Sequence, residues 1–173
     1  MGLRPGRCTR RIRRPWTRIS QRKPKKSYVV GAPGLRIHVF EMGNKKKKFD
    51  TTLHLVVDNP VQVRDNSLEA SRISMNKHLE KTLTVENYFA KVLVFPHQVI
   101  REHTLATGAG ADRFSMGMRK AFGRPKGRAA VLNPGQRIMT VRLNRKNLKD
   151  GKIALQRANL KLPSTCKIIV EEN

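Results

Sequence analysis

The stretch GAGADRFSMGMRKAFGRPKGRA, residues 108–129, limits the fold more than any other part of this chain. Its glycines at 108, 110, 117, 123 and 127 each cost about 1 kcal/mol against Ala in a helix interior, which disfavours a regular helix. Pro125 lacks the donor that a ladder needs, which argues against a regular strand. Strand-like apolar runs nevertheless flank the stretch on both sides. The expectation is a long glycine-rich loop held out by a folded body. Glycine lets the backbone come near a ligand, and six Arg or Lys side chains supply charge, so the loop reads as a device for approaching phosphate.

Charge points the same way. The chain of 173 residues carries 37 Lys and Arg against 12 Asp and Glu, a net +25, and such an excess calls for a polyanion. Nucleic acid is the first candidate and an anionic membrane the next. No apolar run approaches the ~18 residues of a spanning helix, and the basic start is followed by no apolar segment of a secretory signal. Aromatic content of 5% argues against a base-stacking platform. Cys8 and Cys166 lie at opposite ends and read as two reduced thiols rather than a disulfide.

Residues 1–30 form a basic arm without one acid, carrying Arg4, Arg7, Arg10, Arg11, Arg13, Arg14, Arg18, Arg22, Lys23, Lys25 and Lys26. These cations are expected to order against RNA or DNA phosphates. Trp16 either packs back on the domain or stacks on a base. Residues 31–173 read as a single α+β domain. Strands are expected at 35–40, 52–57, 61–64, 88–95, 99–106, 128–132, 136–143 and 166–170. Two main helices are expected, at 67–83 and 144–160, the second starting as late as Gly151. Asn66 with Glu69 makes a capping box for the first. Leu68, Met75, Leu79 and Leu83, with Ile73 nearby, form its apolar stripe. Leu148, Ile153, Leu155 and Leu160 are the apolar positions of the second.

No catalytic constellation emerges. Gly108 and Gly110 open a GxG, but position 113 is Arg, so neither the dinucleotide fingerprint nor a P-loop exists. His97 and His103 share a parity, yet no Cys or carboxylate at ligand spacing joins them. Asp112 is the only acid between Glu102 and Asp150, too few for paired-carboxylate or two-metal chemistry. Its expected part is to shape the loop through an Asx turn or an ion pair with Arg113. Neither a metal nor a cofactor is called for.

The residues also resemble a known family. GLRPGRCTR, the GAPG turn with the strand and FEMGN after it, NSLEASRISMNKHLEKTL, FPHQVIREH and above all ATGAGADRFSMGMRKAFGRPKGRAA are similar to the archaeal and eukaryotic large-subunit ribosomal protein conventionally called ten-e. Its bacterial counterpart is large-subunit protein sixteen. LNPGQRIMTV and RANLKLP resemble the family too, and the GAPG and MGN turns look archaeal. RISQRKPKKSYVV departs from the pattern, being more basic than archaeal relatives usually are there.

The resemblance implies a two-layer α/β sandwich with a mixed sheet, a hammerhead-like β motif and no enzymatic activity. It implies a cytoplasmic place in the large ribosomal subunit. The implied partners are 23S-type rRNA beside the peptidyl-transferase centre, tRNA, 5S rRNA and neighbouring large-subunit proteins. The family's basic amino end matches Arg4, Pro5 and Arg7. Its tRNA-proximal loop matches Gly108, Gly110, Ala111, Asp112, Arg113, Gly117, Met118, Arg119, Ala121, Phe122, Gly123, Pro125 and Gly127, with Lys120, Arg124 and Lys126 beside them in the loop 108–128.

Overall fold

The computed structural model describes residues 3–12, 29 and 31–172. In chain order the elements are β1 (Glu41–Gly43), β2 (Thr51–Val57), β3 (Val61–Arg64), α1 (Asp65–Leu83), β4 (Tyr88–Val92), β5 (Gln98–Glu102), α2 (Ala111–Phe114), β6 (Arg124–Leu132), β7 (Arg137–Leu143), α3 (Leu148–Asn159) and β8 (Cys166–Glu172). The larger sheet has the order β1-β4-β7-β2-β8, the smaller β3-β6-β5. This is the α+β layout expected, with α1 and α3 packed on each other and on the sheets. The expected mixed sheet is corrected: every strand pair among the described residues is antiparallel. The reason lies in the two long helices. Helix α1 carries the chain from the smaller sheet to the larger one. Helix α3 links β7 to β8, which run the same way but are separated by β2, so no parallel neighbours arise.

Strand β2 is buried along all seven residues, although its sequence alternates. Leu53, Leu55 and Val57 face the helices. On the other face, His54 bonds Thr140 Oγ1 through Nδ1 (3.0 Å) and Glu171 Oε2 through Nε2 (3.0 Å), and Arg137 Nη2 donates to Glu171 Oε1 (2.5 Å). A polar chain thus covers the face that periodicity would leave to solvent. The segment expected as a strand at 35–40 is largely irregular, and the strand there is β1 instead. Only Phe40 joins the sheet edge, its carbonyl accepting from Val92 N (2.8 Å).

Helix α1 buries Leu68, Met75, Leu79 and Leu83 as expected, but Ile73 is 49% exposed and Ser71 is fully buried in its stead. Ser71 Oγ donates to the Ala158 carbonyl of α3 (2.5 Å), so a small polar residue lets the two helices approach. The expected Asn66–Glu69 capping box does not form. The helix begins at Asp65, whose carboxylate accepts from Arg36 N (3.1 Å) and Asn66 N (2.9 Å). Its charge sits at the positive end of the helix dipole, and Glu69 is taken by Nε and Nη2 of Arg72.

Helix α3 starts at Leu148 after a 3-10 turn at Arg145–Asn147, and its buried positions are Gly151, Ala154, Leu155 and Ala158. Ile153 and Leu160, expected apolar positions, are exposed. The helix packs through its small residues. A Cβ at Gly151 would run into the Leu53 and Leu143 side chains, so glycine here permits close contact between helix and sheet.

Candidate nucleic-acid interface

The smaller sheet carries both cationic extensions. From the amino end, residues 3–12 lie along β3 and β5, with a 3-10 turn at Gly6–Cys8. Gln62 N donates to the Arg10 carbonyl (2.8 Å) and Arg64 Nη1 to the Arg4 carbonyl (2.7 Å). Arg4 Nε bonds Glu102 Oε1 at 2.7 Å, and this hydrogen bond and charge push the guanidinium further up from its already high value. Arg7, Arg10 and Arg11 remain exposed and make no ion pair among the described residues. Arg13, Arg14, Arg18, Arg22, Lys23, Lys25, Lys26 and Trp16 lie outside the described residues.

The second extension leaves β5 and returns as β6. It has more local structure than its composition suggests. Gly110 stands before the single turn α2, where Arg113 N donates to the Gly110 carbonyl (3.1 Å) and Ser115 N to the Ala111 carbonyl (2.9 Å). Further turns follow from Arg119 N to Met116 O (3.1 Å) and from Gly123 N to Lys120 O (3.0 Å). His103 Nε2 bonds the Gly117 carbonyl at 2.6 Å. The expected Asx turn or ion pair of Asp112 is absent: among the described residues this carboxylate is exposed and unpaired. Asp112 and Arg113 are consecutive in the helical turn α2, where neighbouring side chains diverge around the axis rather than facing each other.

The loop ends earlier than expected, because Arg124 to Gly127 already belong to β6. Pro125 enters that strand at a bulge, where Ile100 pairs with Gly127 and Arg101 with Pro125. Strand β3 pairs with β6 only from Ala129 to Leu132, so at Pro125 the strand has a single neighbour and the missing donor is tolerated. The loop root is tight. Gly123 has φ +70°, and a Cβ on it would strike the backbone of Glu102 and His103. Arg101 Nη2 donates to the Gly123 carbonyl (2.5 Å), and the guanidinium lies 4.2 Å from the Phe122 ring centroid.

Electrostatics then separates body from extensions. In the body, Glu41 is held below the ordinary carboxylate value by bonds from Lys91 and Lys45. Glu69 is matched by Arg72, Glu171 by Arg137 and Asp58 by Lys167. On the loop and the start of β6, Arg113, Arg119, Lys120, Arg124 and Lys126 make no ion pair among the described residues. They share the loop with exposed Phe114, Met116, Met118 and Phe122. Apart from Glu102, which takes Arg4, the ion-paired body acids go to body cations, leaving the loop's charge and Arg7, Arg10 and Arg11 of the arm for an external anion.

Arg101, Glu102 and His103 lie in the run FPHQVIREH, which carries the family resemblance but assigns them no role, and Arg64 has no motif that marks it. A charged pair ending an otherwise apolar strand just before a glycine loop is the available signal for Arg101 and Glu102. His97 and His103 do not act together: His97 packs on Phe95, at 4.7 Å between ring centroids. No group of three metal-ligating side chains exists among the described residues.

The chain matches the family described as Ribosomal protein L16p/L10e over residues 16–169. It is 45% identical over 172 residues to Large ribosomal subunit protein uL16 of Archaeoglobus fulgidus, covering 99% of this chain and 95% of that protein. It is 48% identical over 158 residues to the uL16 of Picrophilus torridus, covering 91% and 90%. With the uL16 of Thermofilum pendens it shares 44% over 173 residues, covering 99% of each. Matched to the family over residues 16–169 and to these relatives over most or all of its length, this chain belongs to the L16p/L10e family of ribosomal proteins.

Proposed function

We propose that this protein is a structural constituent of the large ribosomal subunit, in the cytoplasm, that binds 23S-type rRNA and helps position tRNA beside the peptidyl-transferase centre. Membership in a ribosomal protein family supports the structural, non-enzymatic role. The observation that carries the RNA reading is the set of five cations without an ion pair among the described residues, Arg113, Arg119 and Lys120 on the loop and Arg124 and Lys126 at the start of β6, with the loop root packed against β5. Arg4, Arg7, Arg10 and Arg11 extend the same face. Phosphate contacts from these groups fix the protein on rRNA largely by shape. The loop then presents donors to tRNA phosphates. The 5S rRNA and adjoining proteins of the subunit are further neighbours in this reading.

The test is binding of the full-length protein to large-subunit rRNA and to duplex DNA of equal length at ~150 mM salt. Preference for the RNA is expected. Equal affinity would favour an architectural nucleic-acid-binding protein outside the ribosome and would sink the ribosomal reading. Deleting residues 110–120 should leave assembly into subunits intact and lower tRNA occupancy. Normal translation by such particles would remove the loop's proposed role.

A further inference from the structure

Arm and loop meet over β5, and between them opens a cleft of about 320 Å³. It is lined by Thr9 and Arg11 of the arm, Gln62 of β3, Ile100 and Arg101 of β5 and Phe122 of the loop. That volume lies at the low end of the ~300–1,000 Å³ typical of small-ligand sites, enough for one planar group.

Three observations describe what would fit. Arg101 Nε is buried without a hydrogen-bond partner, although its neighbour Nη2 is bonded to Gly123. A buried donor left unpaired is costly, so an incoming acceptor is favoured there. Gln62 is only 8% exposed, and its backbone N–H is occupied by the Arg10 carbonyl. Its side-chain amide makes no hydrogen bond among the described residues, which leaves one donor and one acceptor group facing the cleft it lines. Among the described residues no carboxylate lines the cleft, and Arg11 is exposed and lines it. Apolar walls, a side-chain amide, an unpaired guanidinium donor and a cation at the mouth match a nucleobase joined to its phosphate. Sequence-specific contact with RNA goes to bases splayed out of a stack, read along their polar edges.

We propose that this cleft receives the base of one unstacked nucleotide of the bound RNA, with Arg101 Nε and the Gln62 amide on the base edge and Arg11 on the phosphate. The proposal rests on the RNA-binding reading above.

The probes are a mixed-sequence single-stranded RNA oligomer and its abasic counterpart with the same ribose-phosphate backbone. An equimolar mixture of the four nucleoside monophosphates is the third. Affinity for the full-length protein is measured at ~150 mM salt. The oligomer should bind about tenfold or more tighter than the abasic strand, as expected when a base enters a fitted site. Gln62→Leu keeps the backbone bond to Arg10, and Ala121→Trp fills the cleft from an exposed position that lines it. Both should erase the difference between oligomer and abasic strand, with thermal unfolding unchanged. Equal binding of oligomer and abasic strand by the unaltered protein overturns the proposal, as does a difference that survives both substitutions. Monophosphates binding as tightly as the oligomer would overturn the RNA assignment in favour of a free nucleotide. Failure of the ribosomal reading shows separately, as equal affinity for rRNA and DNA.

Discussion

Gly123 and His78 show how much single residues hold here. The Gly123 backbone is left-handed, and its missing side chain lets the loop root lie against Glu102 and His103. Gly123→Ala should therefore cost roughly 1–3 kcal/mol through strain and displacement. The measurable consequence is faster amide exchange at 101–103 and 117–123 while the larger sheet stays protected. Unchanged exchange at the root would show that the close approach is not limiting. His78 is held neutral, below its ordinary value of 6.5, first by burial and then by the charge of Arg157, with Lys81 adding and Asp150 opposing. The unfolded chain takes up this proton more readily than the folded one. Its contribution to stability is thus present above about pH 6.5 and fades as the pH falls. Unfolding measured between pH 7.5 and 5 should show a decline that His78→Gln flattens; an identical slope in the variant would assign the decline to other groups.

Among the elements, α3 is the one whose packing the sequence least betrays. Its stripe is Gly151, Ala154, Leu155 and Ala158, and three of these four are too small to register as a hydrophobic signal. Gly151→Ala improves helix propensity by about 1 kcal/mol, but the new methyl meets Leu53 and Leu143, and overpacking costs roughly 1–3 kcal/mol. Net destabilisation is expected in a denaturant titration, and a rise in stability would mean that α3 shifts outward without loss. The strong stripe of α1 is legible because Leu68, Met75, Leu79 and Leu83 are large and recur at helical spacing. Its start is not, because Asp65 supplies the terminal charge in place of the cap expected from Asn66. In β6, Pro125 argues against a strand on sequence grounds, since a bulge and a one-sided partner have no local sign.

For the molecule as a whole, charge is partitioned rather than spread. Replacing Arg4, Arg7, Arg10 and Arg11 by Ala should weaken RNA binding and flatten its salt dependence, by about one unit of slope for each phosphate no longer held. The melting temperature of the free protein should move little. The Arg4–Glu102 pair is solvent-exposed and such pairs add little, and the bond from Gln62 N to the Arg10 carbonyl is made by backbone and survives the substitution. A large fall in melting temperature would make the arm part of the fold's stability. The sequence by itself determined that the charge calls for an external polyanion, because 37 cations against 12 acids cannot be balanced internally however the chain folds. It determined the α+β class and the extent of the large-residue helix face, because both follow from local periodicity. Only the tertiary structure decided which cations stay free, because that depends on where the few acids land. It also decided that the arm and the loop 108–123 share β5 as their support, because strand order and register are long-range pairings with no local sign. The glycines announced a loop. The packing of Gly123 against Glu102, reached only after the chain has folded back on itself, fixes where that loop begins and ends.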